Sequence, residues 1–291
     1  MIKLLEFVAC CTLLCLLTTC SLGVRLDEPF YEKGRLEKRV IGGVSASDKN
    51  YKFISAITTA NRTSVKCTAS LIAPNAILTA GSCIRSLEND VGSDSSKILV
   101  RFGVSDPTSS SKENYPIESI NYHPEIQFST FTNDIAVIVL KTCVPKSVAT
   151  PVHVNTDDFQ EFLAYKLAGF GISSTDGTYP NMLQQLTLVQ GSRRLCEIFF
   201  NSKDVNNKIF CAAQYKASSI CTGDAGAPLT TDDFQSLVAL ANAQLTTKEN
   251  VCNQDNSVSI FTILSPHWKN FISTYAPCTG SSCDYSSLCP N

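Results

Sequence analysis

The sequence predicts an all-β fold, arranged as one large domain or two small ones. Its 291 residues suffice for either arrangement, and 44% hydrophobic and 17% charged residues are an ordinary globular balance. Residues 97–103 have the β-branched and aromatic content of a strand. The formal net charge of −2 gives no electrostatic reason to expect binding to nucleic acid or to an anionic membrane.

The first 23 residues have the pattern of a secretory signal peptide. Lys3 supplies a positive start, Phe7 to Leu17 is an apolar run broken only by Thr12, and residues 21–23 offer small side chains for cleavage. A membrane anchor is the alternative, but the run is too short to span a bilayer comfortably. We therefore expect a secreted, extracellular protein.

The chain contains 14 cysteines, and four of them lie in the predicted signal. The other ten are Cys67, Cys83, Cys143, Cys196, Cys211, Cys221, Cys252, Cys278, Cys283 and Cys289. An even number in an exported chain predicts disulfides. Metal ligation is the competing interpretation, but there is no CxxC pair, and His123, His153 and His267 are scattered. We expect no metal and no cofactor, and interpret the histidines as surface or packing residues.

One N-glycosylation acceptor lies in the predicted mature chain. It is the triplet NRT at residues 61–63, which is flanked by polar residues. Such triplets also arise by chance. In an exported protein we expect Asn61 to carry a glycan.

The most informative stretch is residues 220–229, which contain the sequence GDAGAPL. It resembles the GDSGGPL loop of the trypsin/chymotrypsin-like serine proteases, in which the serine attacks the scissile carbonyl. Ala225 stands at the serine position and has no nucleophilic atom. The resemblance also implies an oxyanion hole made by the backbone amides of Gly223 and Ala225, which needs no side chain.

Two segments of the first half extend the resemblance. Residues 67–83 are similar to the family's CGGSLI…VLTAAHC segment, and residues 133–140 to its NDIALL strand. The catalytic histidine should precede the second cysteine, but Ser82 stands there, and a hydroxyl is not a base near neutral pH. Asp134 matches the aspartate that orients the histidine in a working triad. With Ser82 opposite it, we interpret Asp134 as a structural residue.

Residues 24–39 are charged, and they end in a dibasic pair before the sequence VIGG. This junction resembles the family's activation site. The resemblance implies cleavage after Arg39 and burial of the new Val40 ammonium against the carboxylate of Asp224. A buried charge is tolerable only with such a partner. Residues 24–39 are therefore predicted to be a propeptide, and the alternative is a charged linker before an ordinary strand.

The resemblance also locates a substrate pocket. Its specificity position is Ser219, which would suit an uncharged side chain. The family's SWG wall segment is matched by Asn242, Ala243 and Gln244. Gln244 replaces the glycine and would push a long side chain into the pocket mouth, and the stacking tryptophan is gone. Both neutral drift after loss of catalysis and a repurposed surface would explain these changes.

The family's cysteine framework implies the disulfides Cys67–Cys83, Cys196–Cys211 and Cys221–Cys252. Four cysteines then remain, namely Cys143, Cys278, Cys283 and Cys289. The simplest count gives two further bridges, one from Cys143 to the tail and one within the tail. The sequence does not choose between the possible pairings.

The resemblance covers residues 40–275 and implies two packed antiparallel six-stranded β-barrels with a C-terminal α-helix. The implied boundaries are 40–277 for the domain, about 40–150 and 151–264 for the barrels, 265–275 for the helix and 278–291 for a short disulfide-rich tail.

These observations predict an inactive member of the family, a pseudoprotease. We expect a secreted, monomeric protein that binds a protein partner as a cofactor, decoy or inhibitor in a proteolytic, immune or host-interaction setting. One alternative is a serine endopeptidase with a weak, unorthodox mechanism, in which Asp134 polarises a water or Ser82 attacks. No base of suitable pKa is evident beside either. Another is a structural or venom-type secreted protein with no single partner.

Overall fold

Two curled β-sheets, built almost entirely from antiparallel strands, form the body of the molecule. They are seen in a computed structural model that describes residues 43–60, 64–92, 94–109, 113–161, 163–172, 179–188, 192–200, 208–213, 219–245 and 258–289. All these stretches belong to one unit, residues 37–291. The predicted all-β fold class is confirmed. The signal and propeptide predictions, Arg39, Val40 and Asn61 lie outside the described residues.

The strands in chain order are β1 (Val44–Ser45), β2 (Ile54–Thr59), β3 (Val65–Ala73), β4 (Ala76–Thr79), β5 (Ile98–Phe102), β6 (Ile117–Tyr122), β7 (Ala136–Leu140), β8 (His153–Val154), β9 (Tyr165–Gly169), β10 (Gln184–Leu188), β11 (Ile209–Ala213), β12 (Pro228–Thr230), β13 (Ser236–Leu245) and β14 (Val258–Ile263). The first sheet has the six predicted strands, in the order β5-β2-β3-β4-β7-β6. The second has eight, in the order β1-β10-β9-β12-β13-β14-β11, with β8 pairing in parallel with β13. The two extra strands, β1 and β8, are only two residues long.

The largest apolar core is centred on the first sheet and extends to residues of the second, such as Leu237 and Leu240. The core of the first sheet includes Ile57, Leu71 and Ile77, all fully buried. The second sheet has a core of stacked aromatic rings, in which the centroid of Phe210 lies 4.5 Å from that of Phe159 and 4.7 Å from that of Phe261. Burial of such apolar side chains is the main stabilising contribution to the fold.

Helices connect and flank the sheets. They are α1 (Gly81–Val91), α2 (Arg193–Phe200), α3 (Ser273–Tyr275) and α4 (Tyr285–Leu288), with 3₁₀ turns at Ser95–Lys97, Ser265–His267 and Gly280–Ser282 and a π-helical turn at Trp268–Ile272. Helix α1 buries Cys83, Ile84 and Leu87 on one face and ends at Gly92, whose φ of 76° suits glycine. The predicted C-terminal helix is present, but its 3₁₀, π and α turns are joined in series rather than forming a uniform α-helix. No described helix is long and apolar enough to cross a membrane.

The disulfides of the described residues hold the sheets and the tail. The structure contains Cys67–Cys83, Cys196–Cys211, Cys143–Cys289 and Cys278–Cys283. Of the tail pairings that the sequence left open, the structure has Cys143–Cys289 and Cys278–Cys283. Cys221 is also disulfide-bonded, and its predicted partner, Cys252, lies outside the described residues. The tail packs on the segment between the two sheets, where the Val154 amide donates to Thr279 Oγ1 at 3.1 Å.

Candidate functional site

A buried carboxyl group at the junction of the two sheets organises the site. Asp134 has no exposed surface. It follows Asn133, whose φ of 55° lies in the left-handed region that asparagine tolerates better than most residues. Its Oδ1 accepts from the Ser82 amide and its Oδ2 from Ser82 Oγ, both at 2.6 Å. Since Ser82 is the second residue of α1, its amide lacks an acceptor within the helix, and Asp134 supplies one.

The second sheet reaches the same carboxyl through Asn242. Its Nδ2 donates to Asp134 Oδ2 at 3.0 Å and to the Asp134 carbonyl oxygen at 2.8 Å. Thr262 Oγ1 in turn donates to Asn242 Oδ1 at 2.9 Å. Asn242 lies at a bulge of β13, between the paired residues Ala241 and Ala243. The predicted pocket residue Asn242 therefore braces Asp134, and Thr262 is a member of the network that the sequence analysis missed.

The electrostatics of Asp134 reflect this enclosure. Burial raises its pKa, and the hydrogen bonds from Ser82 and Asn242 oppose that rise. The carboxyl oxygens thus accept hydrogen bonds from the side chains of Ser82 and Asn242 and from the Ser82 amide.

The loop that contains Ala225 is anchored to β3. The amide of Thr68 donates to the Ala225 carbonyl oxygen at 3.0 Å, and Thr68 Oγ1 donates to the Gly223 carbonyl oxygen at 2.9 Å. A Cβ at Gly226, whose φ is 84°, would lie 2.9 Å from the Ala80 amide nitrogen. The loop therefore sits against the start of α1, which brings Ala225, Ser82 and Asp134 to one region of the molecule.

The amides of Gly223 and Ala225 in this loop have no acceptor in the described part of the chain. The intervening Asp224 amide, in contrast, donates to the Cys221 carbonyl oxygen at 2.9 Å. Gly223 has a φ of 101°, a conformation that favours glycine. These are the amides that the sequence analysis assigned to an oxyanion hole, and they lie beside a half-buried alanine methyl group.

Asp224 is buried, and backbone amides bind its carboxyl group. Its Oδ1 accepts from the Gly171 amide at 2.8 Å and its Oδ2 from the Cys221 amide at 2.9 Å. Glycine is required at 169 and 171, because a Cβ there would lie 2.0 Å and 2.4 Å from atoms of the Asp224 carboxyl group. Burial raises the pKa of Asp224 to about 7. Among the described residues no cation contacts this carboxyl.

The remaining predicted pocket residues lie at the second sheet. Ser219 is 4% exposed, and its hydroxyl has no hydrogen-bond partner among the described residues. Ala243 and Gln244 are half-buried in β13, where Gln244 pairs with Ser259 of β14. The described residues contain no cluster of ligands suited to a metal ion.

None of the chain's three histidines is among the donors to Asp134. His123 and His267 are buried, with ring centroids 5.0 Å apart. Burial lowers both pKa values, that of His267 to about 3, and the charge of Lys208 lowers them further. His153 is exposed, and its Nδ1 lies 3.3 Å from Thr279 Oγ1.

Comparison with known proteins establishes the family. A family model described as Trypsin matches residues 40–272. The chain therefore belongs to the trypsin family of serine proteases and their homologues. This is consistent with the two-sheet fold and with the relative placement of Ser82, Asp134 and Ala225.

Several named relatives match most of the chain at low identity. Serine protease SSP1 of Scolopendra subspinipes is 29% identical over 245 residues, covering 79% of this chain and 81% of that protein. Trypsin Blo t 3 of Blomia tropicalis is 25% identical, with coverage of 75% and 82%. Phenoloxidase-activating factor 3 of Holotrichia diomphalia is 25% identical, with coverage of 79% and 70%.

Proposed function

We propose that this chain is a secreted trypsin homologue that does not cleave peptides and acts by binding a protein partner. The observation that carries the proposal is the set of donors around Asp134. A working triad needs an imidazole between the aspartate and the nucleophile. Here Ser82 Oγ and Asn242 Nδ2 bind the carboxyl at 2.6 and 3.0 Å, and Ala225 offers no attacking atom.

The proposed biological setting rests on the predicted signal and propeptide and on the names of two relatives. Residues 1–23 are proposed to direct secretion, and cleavage after Arg39 to release the domain from its propeptide. One relative is named as an activating factor for phenoloxidase and another as a proclotting enzyme. We propose a comparable place for this chain, as a binding component of an extracellular proteolytic cascade.

A second candidate function is a weak endopeptidase. Several relatives are named as trypsins or serine proteases, and the amides of Gly223 and Ala225 could still polarise a carbonyl. An oxyanion hole that lacks both attacker and base retains about 10³–10⁴-fold acceleration over water, a small part of that of a working triad. The first candidate is therefore favoured.

A labelling experiment separates the two candidates. The chain, cleaved after Arg39, is incubated with a serine-directed fluorophosphonate and with mixed peptide substrates. We expect no covalent label and no cleavage above a blank, because Ala225 has no hydroxyl and no histidine contacts Asp134 in the described part of the chain. Labelling, or cleavage that persists through stringent purification, would contradict the proposal.

The double variant Ser82→His with Ala225→Ser serves as the matched control. Labelling of this variant would mean that the scaffold remains competent and that only two side chains were lost. Absence of labelling would implicate Asn242, which occupies Asp134 Oδ2, together with Gln244 at the pocket wall. A further Asn242→Ser substitution distinguishes these two causes.

The proposed cleavage has a measurable effect on pH dependence. An aspartate ionises near pH 3.9 in an unfolded chain, whereas the pKa of Asp224 in the fold is about 7. Between these values the folded state holds a proton that the unfolded state has released, so stability falls as the pH rises from about 4 to 7. We expect the Tm of the uncleaved chain to fall by several degrees over this window.

After cleavage, the Val40 ammonium is proposed to pair with Asp224 and to lower its pKa, which removes most of this dependence. Thermal unfolding of cleaved and uncleaved chain at pH 5 and 7.5 provides the measurement. The Asp224→Asn variant, which cannot titrate, reports the contribution of all other groups. Equal pH dependence of the cleaved and uncleaved chains would contradict the pairing.

A further inference from the structure

A groove with a volume of about 480 Å³ lies beside the segment that joins the two sheets. Its walls are the chain before β2, the joining segment, the β12–β13 turn and the start of the tail. We propose that this groove binds an acidic peptide segment of a partner protein, with an apolar side chain of that peptide in its floor. The groove shares no residue with the site around Asp134. The proposal therefore goes beyond the proposed function and does not depend on loss of catalysis.

The floor of the groove is apolar and rigid. Phe53 and Val152 are buried in it, at 4% and 5% exposure, and Phe234 is half-buried. Tyr51 supports both aromatic rings from the core, with centroid distances of 5.9 Å to Phe53 and 5.2 Å to Phe234. The volume falls in the range of pockets that bind ligands, and the floor suits one apolar side chain.

Phe234 adopts a backbone conformation that is unusual for its residue type. Its φ is 62°, in the left-handed region that bulky residues rarely occupy. The turn holds it there, since the Phe234 amide donates to the Thr231 carbonyl oxygen at 2.9 Å, and Thr231 Oγ1 donates to Asp233 Oδ1 at 2.6 Å. Strain that surrounding bonds maintain is characteristic of functional sites. In this conformation the aromatic ring of Phe234 lines the groove.

The rim of the groove carries positive charge on a chain whose net charge is negative. Lys49, Lys52 and His153 are exposed, and neither lysine forms an ion pair within the described residues. The one acidic group of the rim, Asp233, already accepts hydrogen bonds from Thr231 Oγ1 and the Gln235 amide. Two lysines without ion pairs outnumber this one carboxylate, and above an apolar floor they fit a ligand that has carboxylates and an apolar anchor.

The apolar floor also favours a peptide over a sulfated glycan. A glycan would use the lysines but would leave the half-buried ring of Phe234 uncovered. A peptide with acidic residues around an aromatic or aliphatic side chain would use both features. Anchoring of one such side chain in a desolvated pocket is how protein interfaces concentrate their binding energy.

The test is a selection from a displayed library of random 12-residue peptides on the full secreted chain. We expect the enriched peptides to be acidic and to share an aromatic or aliphatic residue. Binding of synthetic versions is then measured by fluorescence anisotropy on three proteins. These are the parent chain, the Lys49→Glu/Lys52→Glu variant, and a control variant with the same charge change, Lys141→Glu/Lys269→Glu, at two exposed lysines outside the groove.

We expect the groove variant to weaken binding at least tenfold and the control variant to change it less than twofold. A Phe234→Gly variant, which suits the left-handed backbone, should abolish selection for the apolar residue while leaving the acidic preference. Enriched peptides without acidic residues, or equal losses in both charge variants, would overturn the proposal. Groove-dependent retention on heparin with no enriched peptide would assign the site to a glycan instead, and would overturn it too. Fluorophosphonate labelling is unaffected by any of these outcomes, so this test and that of the proposed function fail separately.

Discussion

Replacing Asp134 by alanine is expected to destabilise the fold by about 3 kcal/mol, because a buried donor left without its acceptor costs about 1–3 kcal/mol. The substitution removes the acceptor of the Ser82 amide, of Ser82 Oγ and of one hydrogen bond from Asn242 Nδ2. Asn242 keeps its bond to the backbone carbonyl at position 134, which limits the loss. For a domain of this size the expected fall in Tm is about 6–12 °C.

A surface aspartate offers a matched control. Asp94 also accepts from a serine amide and hydroxyl, those of Ser96, at 3.1 and 2.5 Å, but it is exposed. Water replaces the lost acceptor there, so Asp94→Ala should change the Tm little. Thermal and urea unfolding of both variants provide the measurement. Equal effects of the two substitutions would show that Asp134 does not brace the sheets.

A double-mutant cycle then measures whether the hydrogen bonds from Ser82 and from Asn242 contribute independently to stability. Ser82→Ala removes one donor. Asn242→Ala removes the amide that binds Asp134 and leaves Thr262 Oγ1 with only the longer contact of 3.4 Å to the Asp134 carbonyl oxygen. Since both donors bind the same Oδ2 atom, their energies should not be additive. Additive losses would mean that the two bonds act independently.

The fold was largely predictable from the sequence because its motifs are long and ordered along the chain. The first sheet has the six strands that the resemblance implied, and a helical segment follows the last strand of the second sheet. The strands β1 and β8 were missed, since two residues carry no periodic pattern. The disulfide partner of Cys143 could not be predicted from the sequence either, because spacing alone does not select one connectivity.

The sequence indicated which residues lie at the site better than it indicated their hydrogen-bond partners. Ser82, Asp134 and Ala225 were identified from local motifs. Thr68 Oγ1, in contrast, donates to the Gly223 carbonyl oxygen across a separation of 155 residues, and Thr262 Oγ1 lies 3.4 Å from the Asp134 carbonyl oxygen across 128. No local signal marks a threonine for such a role. Asn242 was assigned to a pocket wall because its segment matched one, and only the fold reveals that its amide turns to Asp134. The groove could not be predicted from the sequence either, because it forms where four separate segments of the chain meet.

Loss of the Cys143–Cys289 disulfide is expected to have the other large effect. The bridge closes a loop with a sequence separation of 146, and in the chain-entropy model such a cross-link contributes about 5 kcal/mol. The Cys143→Ala/Cys289→Ala variant should therefore unfold at a clearly lower urea concentration. The Cys278–Cys283 bridge has a separation of only 5, so the corresponding double alanine variant should lose about 2 kcal/mol.

The two double alanine variants also differ in which part of the tail loses its covalent link. Without Cys143–Cys289 the end of the tail is held to the joining segment by Lys146, whose Nζ lies 4.6 Å from the centre of the Tyr285 ring. Gly280, which lines the groove, stays anchored through the Thr279–Val154 hydrogen bond. We therefore expect stability to fall while peptide binding at the groove changes little. Equal losses of stability in the two variants would mean that loop length does not determine the contribution of these bridges.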